Sequence, residues 1–341
     1  MISDAMLDRF GDFLDKMRGR RVLVVGDVLA DEYIEAETAR VSREAPVLIL
    51  RRTGSRVIPG GAGNAILNVQ ALGGIPIPVG VLGEDDMGAA VAGSFTERGI
   101  DASSLVPAAT RRTVRKTRVM AGGAHGQKQQ VLRIDDDSAQ KLTPDIERRV
   151  RDALASQLRE AHAVILSDYG YGTLSHAVRE AAIEGARARG IPVCADSRYD
   201  LIRFRGVTYA TPNESEAIEA TRALHDAPRG LRETAERLRR ELAARFVIVT
   251  CGQDGMVVAE EGGKFHEIPI WGSAEAADVT GAGDTVAAAT LLAVLAGADP
   301  REAAAFATIA AAIVVQKHGA ATASPEEIER LAGIRRKNPQ P

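Results

Sequence analysis

Ala163-Val164-Ile165-Leu166, a helical pattern from His176 to Arg189, and Ile191-Pro192-Val193-Cys194 read in succession as strand, helix, strand. Each apolar run is short and rich in β-branched residues, and the segment between them repeats its apolar positions at helical spacing. The same alternation extends outward. Val22-Leu23-Val24-Val25 is a buried strand ending at Gly26, Phe246-Val247-Ile248-Val249 is another, and Asp145 to Arg159 and Leu231 to Arg245 carry helical patterns. Strands that are apolar at every position, separated by helices, predict an α/β fold with a mostly parallel sheet covered on both faces.

Two stretches depart from this rhythm. Thr38 to Val57 is extended and rich in β-branched residues. Arg112 to Asp135 reads as a hairpin, with Thr113 to Met120 and Gln129 to Ile134 flanking the turn at Gly122-Gly123-Ala124-His125-Gly126. Together, over about 34–58 and 112–135, they predict a small β-sheet projecting from the main domain as a lid, near the strand ends where ligands bind. Residues 1–334 are expected to form one domain and 335–341 a disordered tail.

The composition narrows the function. In 341 residues, 45% hydrophobic and 26% charged, the net charge is −3. That balance suits a globular protein with a sizeable core and argues against nucleic acid as the main partner. No run approaches a membrane span and no secretory leader is legible, so a cytoplasmic setting is expected. Cys194 and Cys251 sit at apparent strand ends without disulfide or metal spacing, and read as structural.

The chemistry concentrates in four motifs. Asp278-Val279-Thr280-Gly281-Ala282-Gly283-Asp284 precedes a long helix of small residues from Thr285 to Leu295. Glycines at a helix start let backbone N–H groups approach an anion, and the helix dipole adds attraction. A carboxylate there can take a proton from an attacking hydroxyl while the amides hold a transferring phosphoryl group. The same residues also suit a plain helix start in which the glycines serve packing. Pro59-Gly60-Gly61-Ala62-Gly63-Asn64 opens a helix to Leu72, offering close backbone approach and an amide side chain for a polar ligand. It lacks the Lys-Ser/Thr of a P-loop. Asn213 and Glu216 lie one helical turn apart after Thr211-Pro212. The pair suits either the waters of a phosphate-bound Mg²⁺ or a capping box. Thr250-Cys251-Gly252-Gln253-Asp254-Gly255 leaves a strand through a turn that would wall a nucleotide, and by itself is equally a plain strand turn.

In this order the motifs resemble the ribokinase-like (PfkB) carbohydrate kinases from about Val22 to Glu329. The resemblance implies an ATP-dependent, Mg²⁺-requiring kinase of a sugar or sugar phosphate. It implies that Asp284 is the base and that Gly281, Ala282 and Gly283 form an anion hole. It places Asp31, Gly60, Gly61 and Asn64 at the acceptor, Asn213, Thr250, Gly252 and Gly255 along ATP with Asp196 near its phosphates, and Glu216 at the metal. A monovalent cation such as K⁺ beside Asp278 and Thr280 belongs to the same expectation.

Four segments are more specific: Gly26 to Asp31, Ser42 to Val47, Gln129 to Asp135 and Leu166 to Tyr169. They resemble the heptose 7-phosphate kinases of lipopolysaccharide biosynthesis, which phosphorylate the anomeric hydroxyl of D-glycero-D-manno-heptose 7-phosphate. Some of those carry a fused nucleotidyltransferase domain, for which this length has no room, so the kinase alone is expected. The chain departs from them with Arg43 for Pro, Tyr171 for Lys, Asp196-Ser197-Arg198 for Asp-Pro-Lys, and Glu32 for Arg. Arg115, Lys116, Arg118 and Arg133 are the cations that could grip an acceptor phosphate from the lid, with Arg133 preferred. An exposed lid edge would favour a homodimer through the lid.

Overall fold

A computed structural model describes residues 4–122, 128–137, 141–222, 230–272 and 276–334. The expected turn at 123–126 and tail at 335–341 lie outside the described residues. Along the chain run α1 (Asp4–Met17), β1 (Arg21–Gly26), β2 (Val28–Val41), β3 (Leu48–Gly61), α2 (Ala62–Ala71), β4 (Ile75–Gly83), α3 (Asp86–Glu97) and β5 (Leu105–Ala108). Next come β6 (Arg115–Gly122), β7 (Gln129–Asp136), α4 (Pro144–Leu158), β8 (Ala163–Asp168), α5 (His176–Ala188), β9 (Val193–Ser197) and β10 (Tyr209–Ala210). The remainder is α6 (Glu214–Arg222), α7 (Leu231–Leu242), β11 (Phe246–Thr250), β12 (Met256–Glu260), β13 (Phe265–Ile268), α8 (Ala282–Leu295), α9 (Pro300–Val314) and α10 (Pro325–Ala332).

Among the described residues, nine strands form one sheet in the order β13-β12-β11-β10-β9-β8-β1-β4-β5. Pairing is parallel from β11 to β5 and antiparallel at β12 and β13. The unbroken apolar runs now have their reason. Val22 and Val24 of β1 enter a core shared with α1, α2, α8 and α9. Leu23 and Val25 enter a second core, under α4, α5, α6 and α7. Alternate side chains point to opposite faces, so a strand covered on both sides must be apolar throughout.

The small sheet has the order β3-β2-β6-β7. Its β2/β3 and β6/β7 pairs are antiparallel, whereas β2 and β6 run parallel. It begins earlier than the segment from 34 to 58 suggested: β2 starts at Val28, directly after β1, and β3 runs on to Gly61, the residue before α2. Two other boundaries differ from expectation. The strand anticipated at 191–194 lies at 193–197, because the Ile191 amide still caps the preceding helix on Ala186 O. The helix anticipated to 245 stops at Leu242, where Ala243 turns left-handed (φ 51°) and Ala244 N–H returns to Arg239 O. Among the described residues, no helix is long and apolar enough to cross a membrane.

Candidate active site

The C-terminal ends of β8, β9 and β11 face the N-terminus of α8 across a cavity of about 620 Å³. In an open α/β sheet this is where ligands bind. One end of the cavity is polar, with Asp168, Tyr169, Asp196, Arg198, Asn213 and Glu216. The other is apolar, with Met256, Ile270, Trp271, Val286, Ala311 and Val315. Thr250, Gly252, Gly255, Ala282 and Gly283 also line it. All six of the expected nucleotide and metal residues therefore share the cavity with Ala282 and Gly283 at the start of α8.

Asp284 sits in the first turn of α8, 3% exposed. Its Oδ2 accepts from Asn64 Nδ2 at 2.9 Å, and the Tyr169 hydroxyl donates to the carboxylate, 3.1 Å from either oxygen. Burial pushes the Asp284 carboxyl up to about 7, against the lowering effect of the Asn64 and Tyr169 hydrogen bonds. Asn64 is placed by Asn68, which donates to Asn64 O and in turn accepts from the Thr285 hydroxyl at 2.9 Å. This network bolts α2 to α8, so the Gly60–Asn64 and Gly281–Asp284 motifs meet in space. Gly281 takes φ 81°, and a Cβ there would collide with the Asn64 amide. The Ala282 amide donates to Val279 O at 3.2 Å. Among the described residues, the Gly281 and Gly283 amides have no acceptor, so of the three amides expected to form an anion hole only that of Ala282 is already engaged.

Asn213 and Glu216 cap α6 reciprocally: Asn213 N–H donates to Glu216 Oε2, and Glu216 N–H to Asn213 Oδ1, both at 2.9 Å. The capping-box reading is therefore realised. Both residues nevertheless line the cavity, and Glu216 Oε1 has no protein donor among the described residues. Burial holds Glu216 above the usual carboxylate range. Asp196 is pushed well up by burial and by the neighbouring Asp284 and Glu216 charges. Such crowded carboxylates call for a cation. Among the described residues no three His, Cys, Asp or Glu side chains are placed to hold one alone. Asp278 accepts from the Thr280 and Gly319 amides, at 2.9 and 2.8 Å, and lies below the usual range through these bonds despite partial burial.

On the side of the small sheet, Asp31 is buried against Gly60, where a Cβ would strike its carboxylate, and pairs with Arg118 at 2.6 Å. The strands bring Asp31, Lys116 and Asp135 into one row, and Tyr33, Arg118 and Arg133 into the next. Glu32 belongs to the opposite face, where Arg115 Nε (2.9 Å) and the Thr117 hydroxyl (2.9 Å) bind it. Glu32 is thus turned away from Asp31 and paired. Arg133, the preferred acceptor cation, is held bidentately by Asp135 at 2.7 Å.

Three residues that sequence reasoning did not place in the site belong to its frame. Tyr169 reaches Asp284. The Asp27 carboxylate accepts from the Tyr169, Tyr171 and Thr173 amides at 2.9–3.0 Å, fixing the loop after β8. Trp271 lines the apolar end of the cavity. Cys194 is buried and Cys251 half-buried, and neither forms a disulfide.

The model of the pfkB family carbohydrate kinases matches residues 20–327. Among curated proteins, the bifunctional protein HldE of Bradyrhizobium diazoefficiens is 36% identical over 324 residues, covering 94% of this chain and 64% of its own length. That of Geotalea uraniireducens is 36% identical over 314 residues, 92% and 63%. The chain thus spans somewhat less than two thirds of these relatives. Among solved structures, Arabidopsis thaliana ribokinase complexed with ribose and ATP superposes with a TM-score of 0.69 at 21% identity, over 93% of this chain and 100% of that one. Escherichia coli phosphofructokinase-2 in complex with fructose-6-phosphate gives 0.70 at 18% identity, over 92% and 98%. The fold is ribokinase-like, and the chain belongs to the pfkB family of carbohydrate kinases, phosphotransferases with an alcohol group as acceptor.

Proposed function

We propose that the chain transfers the γ-phosphoryl group of ATP to the anomeric hydroxyl of D-glycero-β-D-manno-heptose 7-phosphate, giving the 1,7-bisphosphate. The observation that carries the kinase reading is the buried Asp284 carboxylate at the start of α8, held by Asn64 and Tyr169 beside two free amides. The heptose assignment is supported by the HldE relatives and by the four segments that resemble heptose 7-phosphate kinases.

In this reading ATP lies with its base among Trp271, Val286 and Ala311 and its phosphates toward Arg198, Asn213 and Gly283. The acceptor enters between the small sheet, acting as a lid, and the loop after β8, with its hydroxyls on Asp31. Asp284 takes the proton of the attacking hydroxyl as the acceptor O–P bond forms, the β–γ bridge bond breaks and ADP leaves. A carboxyl poised near neutrality is matched to that task. The Gly281 and Gly283 amides receive the negative charge that develops on the phosphoryl oxygens. The crowded Asp196 and Glu216 carboxylates fit an Mg²⁺ bound mainly through phosphate and water, which would neutralise the phosphate charge. A K⁺ would lie beside Asp278 and Thr280, and the active form would be a homodimer joined through the lids.

The test is kcat/KM at saturating ATP and Mg²⁺ for heptose 7-phosphate, fructose, ribose and adenosine, with the product's phosphate located by NMR. Heptose 7-phosphate should lead by a large factor. A neutral sugar or nucleoside in first place would redirect the substrate assignment, and a lack of ATP turnover with every acceptor would favour a non-catalytic, sugar-phosphate-binding relative.

A further inference from the structure

Among the described residues, Arg115, Lys116, Arg118 and Arg133 rise from β6 and β7 of the small sheet, and the structure has already satisfied three of them. Arg115 is bound by Glu32, Arg118 by Asp31 and Arg133 by Asp135. Lys116 is the exception. It is 5% exposed, and among the described residues no carboxylate lies within 4 Å of its ammonium. Its neighbours are the rings of Tyr169 and Tyr171, at 5.3 and 5.5 Å. Tyr169 is the same residue that donates to Asp284.

A buried ammonium with ring faces but no carboxylate in contact is costly, because burial removes its water without supplying a direct counter-ion, even though Asp31 and Asp135 lie near enough to oppose the effect. Cation–π contact returns part of this. Burial accordingly depresses the Lys116 ammonium, and the nearby Arg198 and Arg133 charges act in the same direction. The carboxylates that face it across the sheet, Asp31 and Asp135, are each engaged by an arginine. Asp284 also lies close enough to feel the Lys116 charge, but it too is engaged, by Asn64 and Tyr169, so Lys116 is left without a contacting counter-ion. Lys116 does not line the cavity assigned to ATP. It stands on the acceptor side, in the row of Asp31.

We infer that Lys116, rather than Arg133, is the lid residue that grips an anionic substituent carried by the acceptor, a phosphate monoester in the first instance. The inference rests on the sugar-phosphate reading above and adds the residue that enforces it. The tyrosine at 171 fits this assignment. Its ring lies 5.5 Å from the Lys116 ammonium and packs against it without supplying a counter-charge.

The decisive comparison is kcat/KM for heptose 7-phosphate against the same heptose without its phosphate, in the wild type, Lys116→Met and Lys116→Arg. Methionine keeps the length of the side chain, and its removal of a buried charge should leave the Tm of the free protein unchanged or higher. The wild type should prefer the phosphorylated acceptor. Lys116→Met should shrink that preference about ten- to hundredfold through acceptor KM, with ATP KM within about twofold, and Lys116→Arg should retain most of it. Inorganic phosphate should compete with the acceptor in the wild type and cease to do so in Lys116→Met. An undiminished preference in Lys116→Met overturns the inference and leaves the sugar-phosphate reading standing. So does an equal loss of kcat on both acceptors, which would place the ammonium at the transferring group. A wild type without preference sinks the sugar-phosphate reading and this inference together. If Lys116→Met has a lowered Tm, inhibition of Lys116→Gln by inorganic phosphate decides: persistence of competition overturns the inference.

Discussion

Asp284, Tyr169 and Asn64 make one ionisable unit, and each can be perturbed separately. Asp284→Asn should lower kcat by ~100- to 10,000-fold, the usual contribution of a general base, with ATP affinity within a few-fold. Retention of a tenth of wild-type kcat would remove the base role. The pH profile is more discriminating. With the carboxyl near 7, activity should rise through neutrality as the base ionises. Tyr169→Phe deletes a bond that favours the ionised form, so the acid limb should move to higher pH. A loss of rate uniform across pH would instead make Tyr169 a packing residue. Linkage gives the stability sign. Because the folded carboxyl is raised above its ordinary 3.8, its stability contribution is complete at low pH and is lost as pH rises toward about 7. The Asn variant should therefore gain in Tm over the wild type on going from pH 4 to 8. Glu216→Gln offers a clean test of charge, because glutamine can still cap α6 through its carbonyl. It should raise the Mg²⁺ concentration for half-maximal rate with Tm unchanged. An unmoved titration would leave Glu216 a cap alone.

Among the elements, the lid sheet poses the sharpest question. Strand β7 is exposed at every residue, and Leu132 and Ile134, 52% and 54% exposed, share the face that Glu32 and Arg115 occupy. Val41, Val47 and Leu48 add exposed apolar surface at the far end of β2 and β3. Edges and apolar patches of this sort invite pairing. Leu132→Asp with Ile134→Asp should convert a dimer to a monomer in light scattering after size exclusion. A wild type already monomeric at micromolar concentration would refute the lid dimer. The elements also show what could be read in advance. Runs such as Val22–Val25 and Phe246–Val249 announce themselves because both faces of each strand are covered. The lid's true start at Val28 did not, since β2 is defined by partners in β3 and β6 that no local pattern reveals. The site divides likewise. Asp284 and Asn64 stand in glycine-marked motifs, whereas Tyr169, Asp27 and Lys116 acquire their roles from residues far along the chain. Arg133 is legible as a cation, but its pairing with Asp135, two residues on, is not.

At the scale of the whole molecule, lid and catalytic centre are one continuous piece of chain. Only Asp27 separates β1 of the main sheet from β2 of the lid. β3 returns to Gly61, and three residues later Asn64 donates to Asp284. The lid is therefore not a flap hung beside a finished site but a handle attached to it. An outward swing of the small sheet would carry Asp31 with it and pull on Asn64 and its bond to Asp284, so that opening the door and disarming the trigger would be a single movement. Water, too small to draw the sheet down, would then meet a carboxylate without its Asn64 bond. ATP hydrolysis without acceptor should accordingly run at least about a hundredfold below turnover with it, the scale of a general base's contribution, measured as ADP release. Comparable rates would mean that the trigger stays set while the door is open.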